Sequence, residues 1–185
     1  MIKKIYFKYV GEAFVLYRDQ WANDIMPKIE VKTEILPLHG LDKQVVNTII
    51  DLQGWPSFLY QRFVFGSTDT YLALGWIDGQ LVHIGWSTPY KKCRKRFPFI
   101  PEKAYMIGSC QTVPSFRGNR IYPFVLQQIT RSLPGCDEFW ILVHDKNLSS
   151  IRGIKKAGSK HMGSFVQKRW LWGFLRSTKY YPDAS

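Results

Sequence analysis

The sequence predicts an α/β fold with one mixed sheet, in which antiparallel N-terminal strands and a hairpin precede a β–α–β–α unit. Residues 71–77 and 81–86 are apolar runs joined around Asp78-Gly79, a pair that supplies the positive φ angles of a tight hairpin turn. After residue 105, strand-like apolar runs alternate with segments of helical periodicity, an order that implies a parallel strand connection. At 185 residues and 45% hydrophobic, the chain 1–185 is expected to form a single domain.

The first part of this domain, about residues 1–65, is expected to hold strands and one helix. Residues 5–17 combine aromatic and aliphatic side chains, and residues 29–35 alternate apolar with polar ones, which are patterns of strands. Residues 41–52 carry apolar side chains at the three- and four-residue spacing of a helix. Residues 55–65 have no periodicity that assigns an element.

The second part, about residues 69–165, is expected to be the ligand-binding core. Its predicted elements after the hairpin are a strand at 105–113, a helix at 123–133, a strand at 139–143 and a helix at 148–157. A final strand is predicted at 165–175, where Trp170, Trp172 and Phe174 alternate with other residues and favour packing against a core or an interface.

The charge of the chain points to an anionic partner. Twenty-six Lys and Arg against fourteen Asp and Glu give a formal net charge of +12, clustered at residues 91–96, 152–160 and 168–169. Nucleic acid, an anionic membrane surface and a phosphate-bearing small ligand are three interpretations, and a solvated basic face is the fourth. No apolar run approaches the length of a membrane span or a signal-peptide core, and three scattered cysteines show no metal or disulfide spacing. A reducing cytoplasm is the expected setting.

The chemistry concentrates in residues 114–122, a polar loop between a predicted strand and a predicted helix. A helix N-terminus presents unbonded backbone N–H groups and the positive end of its dipole, which suits a pyrophosphate. Gly118 and Asn119 tolerate a tight backbone, and Arg117 and Arg120 offer forked donors to phosphate oxygens. The loop matches neither the Walker A nor the dinucleotide fingerprint, and an ordinary basic connection is the alternative interpretation.

Residues 113–123 resemble the acyl-CoA pyrophosphate loop of the GNAT N-acetyltransferase superfamily, whose pattern is Arg/Gln-x-x-Gly-x-Gly/Ala. Residues 147–158 resemble the family's Asn-x-x-Ser followed by Lys-x-Gly-Phe. The resemblance implies a GNAT-like fold and an N-acyltransferase that uses acetyl-CoA or another acyl-CoA as co-substrate, without a metal. It implies that the CoA is bound by Gln111, Thr112, Val113, Arg117, Gly118, Asn119, Arg120, Ile121, Tyr122, Asn147 and Ser150.

The sequence departs from the family pattern at three places that bear on the chemistry. Arg120 and Tyr122 stand where the strict pattern has small residues. Ile154 stands where many members carry the Tyr that protonates the departing CoA thiolate. A thiol is already fairly acidic, with a free pKa of about 8.5, so the loss of this acid need not abolish turnover.

The catalytic residues are less well defined than the CoA-binding ones. His144, at the end of an apolar strand, is the first candidate base, because imidazole titrates near pH 7. The alternative is that His144 is a strand-terminal residue bound by backbone. Tyr122, Tyr105 and Glu102 are further candidates for acid or base.

Three classes of function follow. The favoured one is acyl transfer to a primary amine of a small molecule, with an amino sugar as one option. The second is an acyl-CoA-binding module without catalysis, which Ile154 motivates. The third is a nucleic-acid or membrane-surface protein, which the charge and the aromatic content motivate. The expected partner is a small-molecule amine rather than nucleic acid. Peripheral membrane contact stays an option, and both a monomer and a homodimer are compatible with the sequence.

Overall fold

A computed structural model describes residues 7–92, 95–170 and 175–183, which form one mixed sheet of eight strands. The strands are β1 Phe7–Tyr17, β2 Lys32–Pro37, β3 Tyr71–Ile77, β4 Gln80–Pro89, β5 Tyr105–Thr112, β6 Glu138–His144, β7 Lys160–Trp170 and β8 Leu175–Pro182. They follow the order β2-β3-β4-β5-β6-β1-β7-β8. Among the described strands, neighbouring pairs are antiparallel except β5 with β6. The predicted mixed α/β fold, its hairpin and its parallel connection are confirmed.

The described residues contain four α-helices, namely α1 Lys43–Gln53, α2 Trp55–Phe65, α3 Ile121–Ser132 and α4 Leu148–Lys156. The helices predicted at 41–52, 123–133 and 148–157 are therefore confirmed. Helix α1 begins at Asp42, whose side chain accepts a hydrogen bond of 2.8 Å from the Val45 N–H. Pro123 lies in the first turn of α3, where a missing N–H costs no helical hydrogen bond.

Helix α2 was not predicted, because its sequence is apolar on both faces and gives no periodic contrast. Its buried residues are Phe58, Gln61 and Val64. Its exposed residues include Trp55, Leu59, Tyr60 and Phe63. Gly54, with a φ of 81°, ends α1 and leads directly into α2, a conformation that glycine adopts without strain.

Strand β1 lies inside the sheet, between β6 and β7, and pairs antiparallel with both. Its residues Ala13 to Leu16 are completely or almost completely buried. Gly11 permits this close approach, since a Cβ there would lie 2.6 Å from the Val143 carbonyl oxygen. Periodicity predicts that residues 5–17 form a strand, but it does not specify the neighbours of that strand.

The prediction of one final strand at 165–175 was wrong. Strand β7 begins at Lys160 and ends at Trp170, and a separate strand, β8, pairs with it from Leu175 onward. Strand β7 starts before the predicted residue 165 because Lys160 and His161, although polar, pair with β1. Trp172 and Phe174 of the predicted alternation lie outside the described residues.

Both faces of the sheet are covered. Helices α3 and α4 pack on one face, where Val125 and Ile154 belong to the same buried cluster as Phe14 and Ile141. Helices α1 and α2 cover β3 and β4 on the other face, and the loop containing Phe99 covers β1 there. This two-sided cover explains the continuous apolar run of β6.

The parallel strands β5 and β6 separate along the sheet. They are paired only from Tyr105 to Ile107 on β5 and from Phe139 to Ile141 on β6. Beyond these residues β5 stays with β4, and β6 stays with β1. The separation leaves an opening beside Gly108, and the candidate site lies at this opening.

Candidate functional site

Strand β5 contains a bulge at the opening. The register of β4 against β5 shifts between Ile84 and Trp86, opposite Ser109 and Cys110. Ser109 has a φ of 50°, a left-handed conformation that is uncommon for a residue other than glycine. A bulge turns the strand and redirects its side chains. The residues that follow Ser109 therefore line a different cavity from those that precede it.

A cleft of about 640 Å³ lies on the α3–α4 side of the bulge. Its lining residues are Cys110, Gln111, Thr112, Phe116, Arg117, Gly118, Arg120, Ile121, Tyr122, Pro123, Asn147, Ser149, Ser150, Arg152, Gly153 and Lys156. Four of these are cationic and none is acidic. The electrostatics of the cleft therefore favour an anionic ligand.

The loop before α3 forms a cradle of backbone donors. Gly118 and Arg120 have φ angles of 85° and 62°. In the described part of the chain, no acceptor is within hydrogen-bond distance of the backbone N–H groups of Gly118 through Tyr122. These donors stand at a helix N-terminus, where the dipole adds partial positive charge, so they can bind phosphate oxygens.

The N-terminus of α4 forms the opposite wall of the cleft. The Asn147 Oδ1 accepts hydrogen bonds from the Ser150 N–H at 3.2 Å and from the Ser149 hydroxyl at 3.0 Å. Asn147 thus caps α4 and fixes the orientation of its own amide at the cleft.

Nine of the eleven predicted CoA-binding residues line this cleft, and Val113 and Asn119 do not. The Val113 N–H donates to the Val82 carbonyl, so it is not available to a ligand. The Asn119 side chain donates to the Phe116 carbonyl at 3.2 Å and holds the loop in shape.

Further residues on α4 line the cleft that the sequence interpretation did not include. Ser149, Arg152, Gly153 and Lys156 recur at three- and four-residue spacing, which places them on one face of the helix. That spacing beside Asn147 was the signal that could have identified them.

Tyr122 belongs to a buried polar group on the floor of the cleft. Its hydroxyl hydrogen-bonds the Cys110 thiol, and its ring stacks on His83 with centroids 5.9 Å apart. The His83 Nδ1 lies 2.7 Å from the Thr112 hydroxyl. Burial raises the pKa of Tyr122 well above its ordinary value, and the neighbouring Cys110 contributes in the same direction. Burial also raises the pKa of Cys110 to about 12, although the residue is only half-buried by surface area.

Ile154, which stands at the family's Tyr position, is completely buried against the core. It presents no proton donor. Within the described residues that line the cleft, the phenol of Tyr122 is the only tyrosine hydroxyl.

The other catalytic candidates lie away from this cleft. The His144 Nδ1 lies 2.7 Å from the Asp145 carboxylate, and its ring contacts Tyr9 edge-on at 4.9 Å. Tyr105 lies in the paired part of β5 beside Phe139, and burial raises its pKa to about 12. Glu102 lies in an exposed turn before β5.

A second cavity of about 230 Å³ lies on the other side of the bulge, and its β5 residues end at Gly108 and Ser109, next to Cys110. The two cavities therefore approach each other where β5 and β6 separate.

No described group of His, Cys, Asp and Glu side chains is arranged to hold a metal ion. Among the described helices, none has the length and apolar character needed to cross a membrane.

Solved structures with a similar fold include several acetyltransferases. One from the GNAT family of Colwellia psychrerythraea has a TM-score of 0.57 at 14% identity, covering 97% of this chain and 57% of that one. A GCN5-related N-acetyltransferase from Sphaerobacter thermophilus gives 0.57 at 15% identity, covering 97% and 54%. An acetyltransferase of the GNAT family from Streptococcus pneumoniae gives 0.52 at 11% identity, covering 80% and 99%.

These identities establish a likeness of fold. The chain spans about three fifths of the length of the first solved structures that it matches, which have 60%, 58% and 57% of their length covered. No protein-family model and no curated protein matches the sequence.

Proposed function

From the premise that the chain has the GNAT fold, we propose that it is an acyl-CoA-dependent N-acyltransferase that acts on a primary amine of a small molecule. The proposal rests above all on the N–H groups of Gly118 through Tyr122, which have no acceptor among the described residues. They are set in a cleft whose described lining includes four cations and no acid. Acetyl-CoA is the proposed acyl donor.

In this proposal the CoA pyrophosphate binds to the N–H groups of the loop before α3. Arg120 and Arg152 line the same cleft and add positive charge. Arg117 donates from Nε to the Thr112 carbonyl at 3.1 Å, which leaves its terminal nitrogens for a phosphate. The pantetheine arm passes between residues 110–112 of β5 and Asn147, the residue that caps α4.

Acyl transfer then needs a neutral amine, a polarised carbonyl and a proton for the thiolate. The amine nitrogen forms a bond to the thioester carbon, the carbon–sulfur bond breaks, and the CoA sulfur takes up a proton. We assign this proton to Tyr122, which carries the only tyrosine hydroxyl among the described residues that line the cleft. The phenolate then takes a proton back from solvent, which balances the proton that the amine releases. The amine loses its extra proton to solvent. His144 contacts Tyr9 and is not among the residues that line the cleft, so the proposal gives it no role as the base.

The proposal is tested by mixing the purified protein with acetyl-CoA and a panel of primary amines and measuring the release of free CoA thiol. We expect release that depends on the amine, with a product mass increased by one acetyl group. The absence of thiol release with every amine would overturn the proposal.

A non-catalytic acyl-CoA-binding module is the second candidate, because Ile154 offers no acid. Calorimetric titration with CoA separates it from an inactive preparation: CoA binding without turnover favours the module. The variant to compare with the wild type in both assays is Tyr122→Phe, because it keeps the ring that forms the cleft floor and removes only the hydroxyl.

A further inference from the structure

The second cavity has an aromatic and apolar lining. Its residues are Tyr9, Tyr60, Val64, Phe65, Arg96, Phe97, Met106, Ile107, Gly108, Ser109, Leu142 and Phe165. The Phe165 ring lies 5.7 Å from Tyr9 and 5.5 Å from Phe97, measured between centroids. These mutual contacts hold the rings in place. A ligand of this cavity therefore meets preformed aromatic walls.

The position of the cavity places its ligand beside the acyl group. Gly108 and Ser109 line the second cavity, and Cys110, the next residue of β5, lines the first. Because β5 and β6 are unpaired beyond Ile107, no strand pairing separates the two cavities at this point. A small molecule in the second cavity can therefore present an amine to a thioester held at Cys110.

Among the described residues that line the second cavity, Arg96 is the single charged one. Its backbone carbonyl accepts hydrogen bonds from Gln167 Nε2 at 3.2 Å and from the Thr178 hydroxyl at 2.8 Å. The backbone of Arg96 is thus fixed to β7 and β8 without the guanidinium. No carboxylate of the described residues pairs with that guanidinium, so its five donors are available to a ligand.

We infer that the second cavity binds the acceptor, and that this acceptor is a small primary amine with an aromatic or apolar body and a carboxylate. The ring of such a molecule packs among Tyr9, Phe97 and Phe165, and its carboxylate pairs with Arg96. This inference rests on the proposed acyl transfer. Aromatic amino acids are the simplest compounds of this class.

The same lining disfavours an amino sugar. Burying a sugar hydroxyl without a hydrogen bond is unfavourable, and most of the described residues that line this cavity offer no hydrogen-bonding partner. The described lining also contains no acid to pair with an ammonium ion. Burial in apolar surroundings lowers the pKa of an amine and favours the neutral form that attacks.

The test compares acetylation of phenylalanine, phenethylamine and glucosamine under saturating acetyl-CoA. We expect kcat/KM to be about tenfold or more higher for phenylalanine than for phenethylamine, since a charge-assisted pair with Arg96 is lost in the latter. Glucosamine should be the poorest acceptor. The variant Arg96→Gln should remove the preference for phenylalanine, and Lys95→Gln, an exposed neighbour outside the cavity, should keep it.

The variant Gly108→Ala tests whether the acceptor binds in the second cavity. A Cβ on Gly108 would lie 3.5 Å from the Phe65 ring, an ordinary contact, so the fold tolerates it while the cavity shrinks. We expect a several-fold higher KM for phenylalanine and an unchanged KM for acetyl-CoA. An unchanged KM for phenylalanine as well as for acetyl-CoA would overturn the assignment of the acceptor to the second cavity.

A preference for glucosamine, or equal rates for phenylalanine and phenethylamine, would overturn the acceptor class while leaving acyl transfer intact. If no amine is acetylated, the proposed function fails. Titration of phenylalanine into the CoA-bound protein then decides whether the cavity binds this class: binding that Arg96→Gln weakens supports it, and no binding overturns it.

Discussion

The ring of Tyr122 lies directly over Gly153, so that a Cβ on Gly153 would come within 2.6 Å of the tyrosine Cδ1. Tyr122 is the second residue of α3, and Gly153 lies in the middle of α4. The missing side chain on α4 therefore makes room for the phenol on the cleft floor. Since a Cβ contact under 3.0 Å does not persist, any other residue at position 153 must displace the ring.

The variant Gly153→Ala is expected to lower kcat/KM for acetyl-CoA about tenfold, because the shifted Tyr122 obstructs the cleft and moves its hydroxyl. Alanine is a better helix former than glycine by about 1 kcal/mol, so helix propensity itself does not destabilise the variant. Initial rates and thermal unfolding measure the two effects. Lys155→Ala, on the exposed side of the same helix, is the control and should leave kcat/KM unchanged.

The variant Tyr122→Phe is expected to lower kcat roughly 100-fold with little change in the KM for acetyl-CoA, since a general acid contributes about 10²–10⁴ and a thiolate needs less help than most leaving groups. The raised pKa of Tyr122 predicts that wild-type kcat does not fall through loss of this proton up to about pH 9. Cys110→Ala removes the hydrogen-bond partner and keeps the phenol, so its kcat should stay close to that of the wild type. An unaltered kcat in Tyr122→Phe would remove the acid role.

The variant Arg120→Gly separates the charge of this residue from its backbone. Arg120 precedes α3 in the left-handed region, with a φ of 62°, where a side chain costs about 1 kcal/mol relative to glycine. We expect a severalfold higher KM for acetyl-CoA together with an equal or higher melting temperature. Arg117→Ala should also raise this KM, although its Nε bond to Thr112 makes some loss of loop order part of the effect. Unchanged acetyl-CoA kinetics in both variants would remove these arginines from the phosphate site.

The parts of the site that the sequence predicted are those formed by neighbouring residues. The donors of Gly118 through Tyr122 and the cap at Asn147 depend on a few consecutive residues, so a local pattern indicates both. The contact of Tyr122 with Gly153 joins two helices, and its geometry depends on how α3 and α4 pack. Local periodicity carries no information about that packing.

The same distinction between local and long-range contacts decides which parts of the fold the sequence could predict. The hairpin of β3 and β4 is encoded by Asp78-Gly79, whereas the place of β1 between β6 and β7 is a long-range choice among buried strands. The described lining of the second cavity comes from six separate segments of the chain that meet only in the folded state, from Tyr9 on β1 to Phe165 on β7. A pattern of adjacent residues predicts neither the position of β1 nor the second cavity.

His83 predicts how stability depends on pH. Burial lowers the pKa of this imidazole from 6.5 to about 3. Between these values the unfolded chain binds a proton at His83 and the folded protein does not, so stability is lost as the pH falls below about 6.5. The expected slope is about 1.4 kcal/mol per pH unit for this one group. Its titratable neighbours Cys110 and Tyr122 have raised pKa values and do not titrate in this range.

Urea unfolding at pH 7 and pH 5 measures this slope. The variant His83→Asn places an amide near the Thr112 hydroxyl, which lies 2.7 Å from the His83 Nδ1, and should have a smaller loss of stability between the two pH values. His39→Asn is the control, because His39 is exposed and should leave the wild-type slope. Equal slopes for all three proteins would show that His83 is not held neutral.

Arg18 predicts a loss of stability without a loss of intrinsic activity. Its guanidinium donates to the carbonyl oxygens of Arg131, Leu133 and Cys136, and thereby binds the chain where α3 ends. Hydrogen bonds to a charged group contribute about 1.5–3 kcal/mol, so Arg18→Ala should lower the free energy of unfolding by about 2–3 kcal/mol.

The exposed carboxylate of Asp137 adds little to this stability, because its side chain is 87% exposed and its ion pair with Arg18 is screened by solvent. Asp137→Ala should therefore stay within about 0.5 kcal/mol of the wild type. Since Arg18 lines neither cavity, kcat per folded molecule should be unchanged in both variants; a loss of kcat at full folding would instead connect the end of α3 to the cleft.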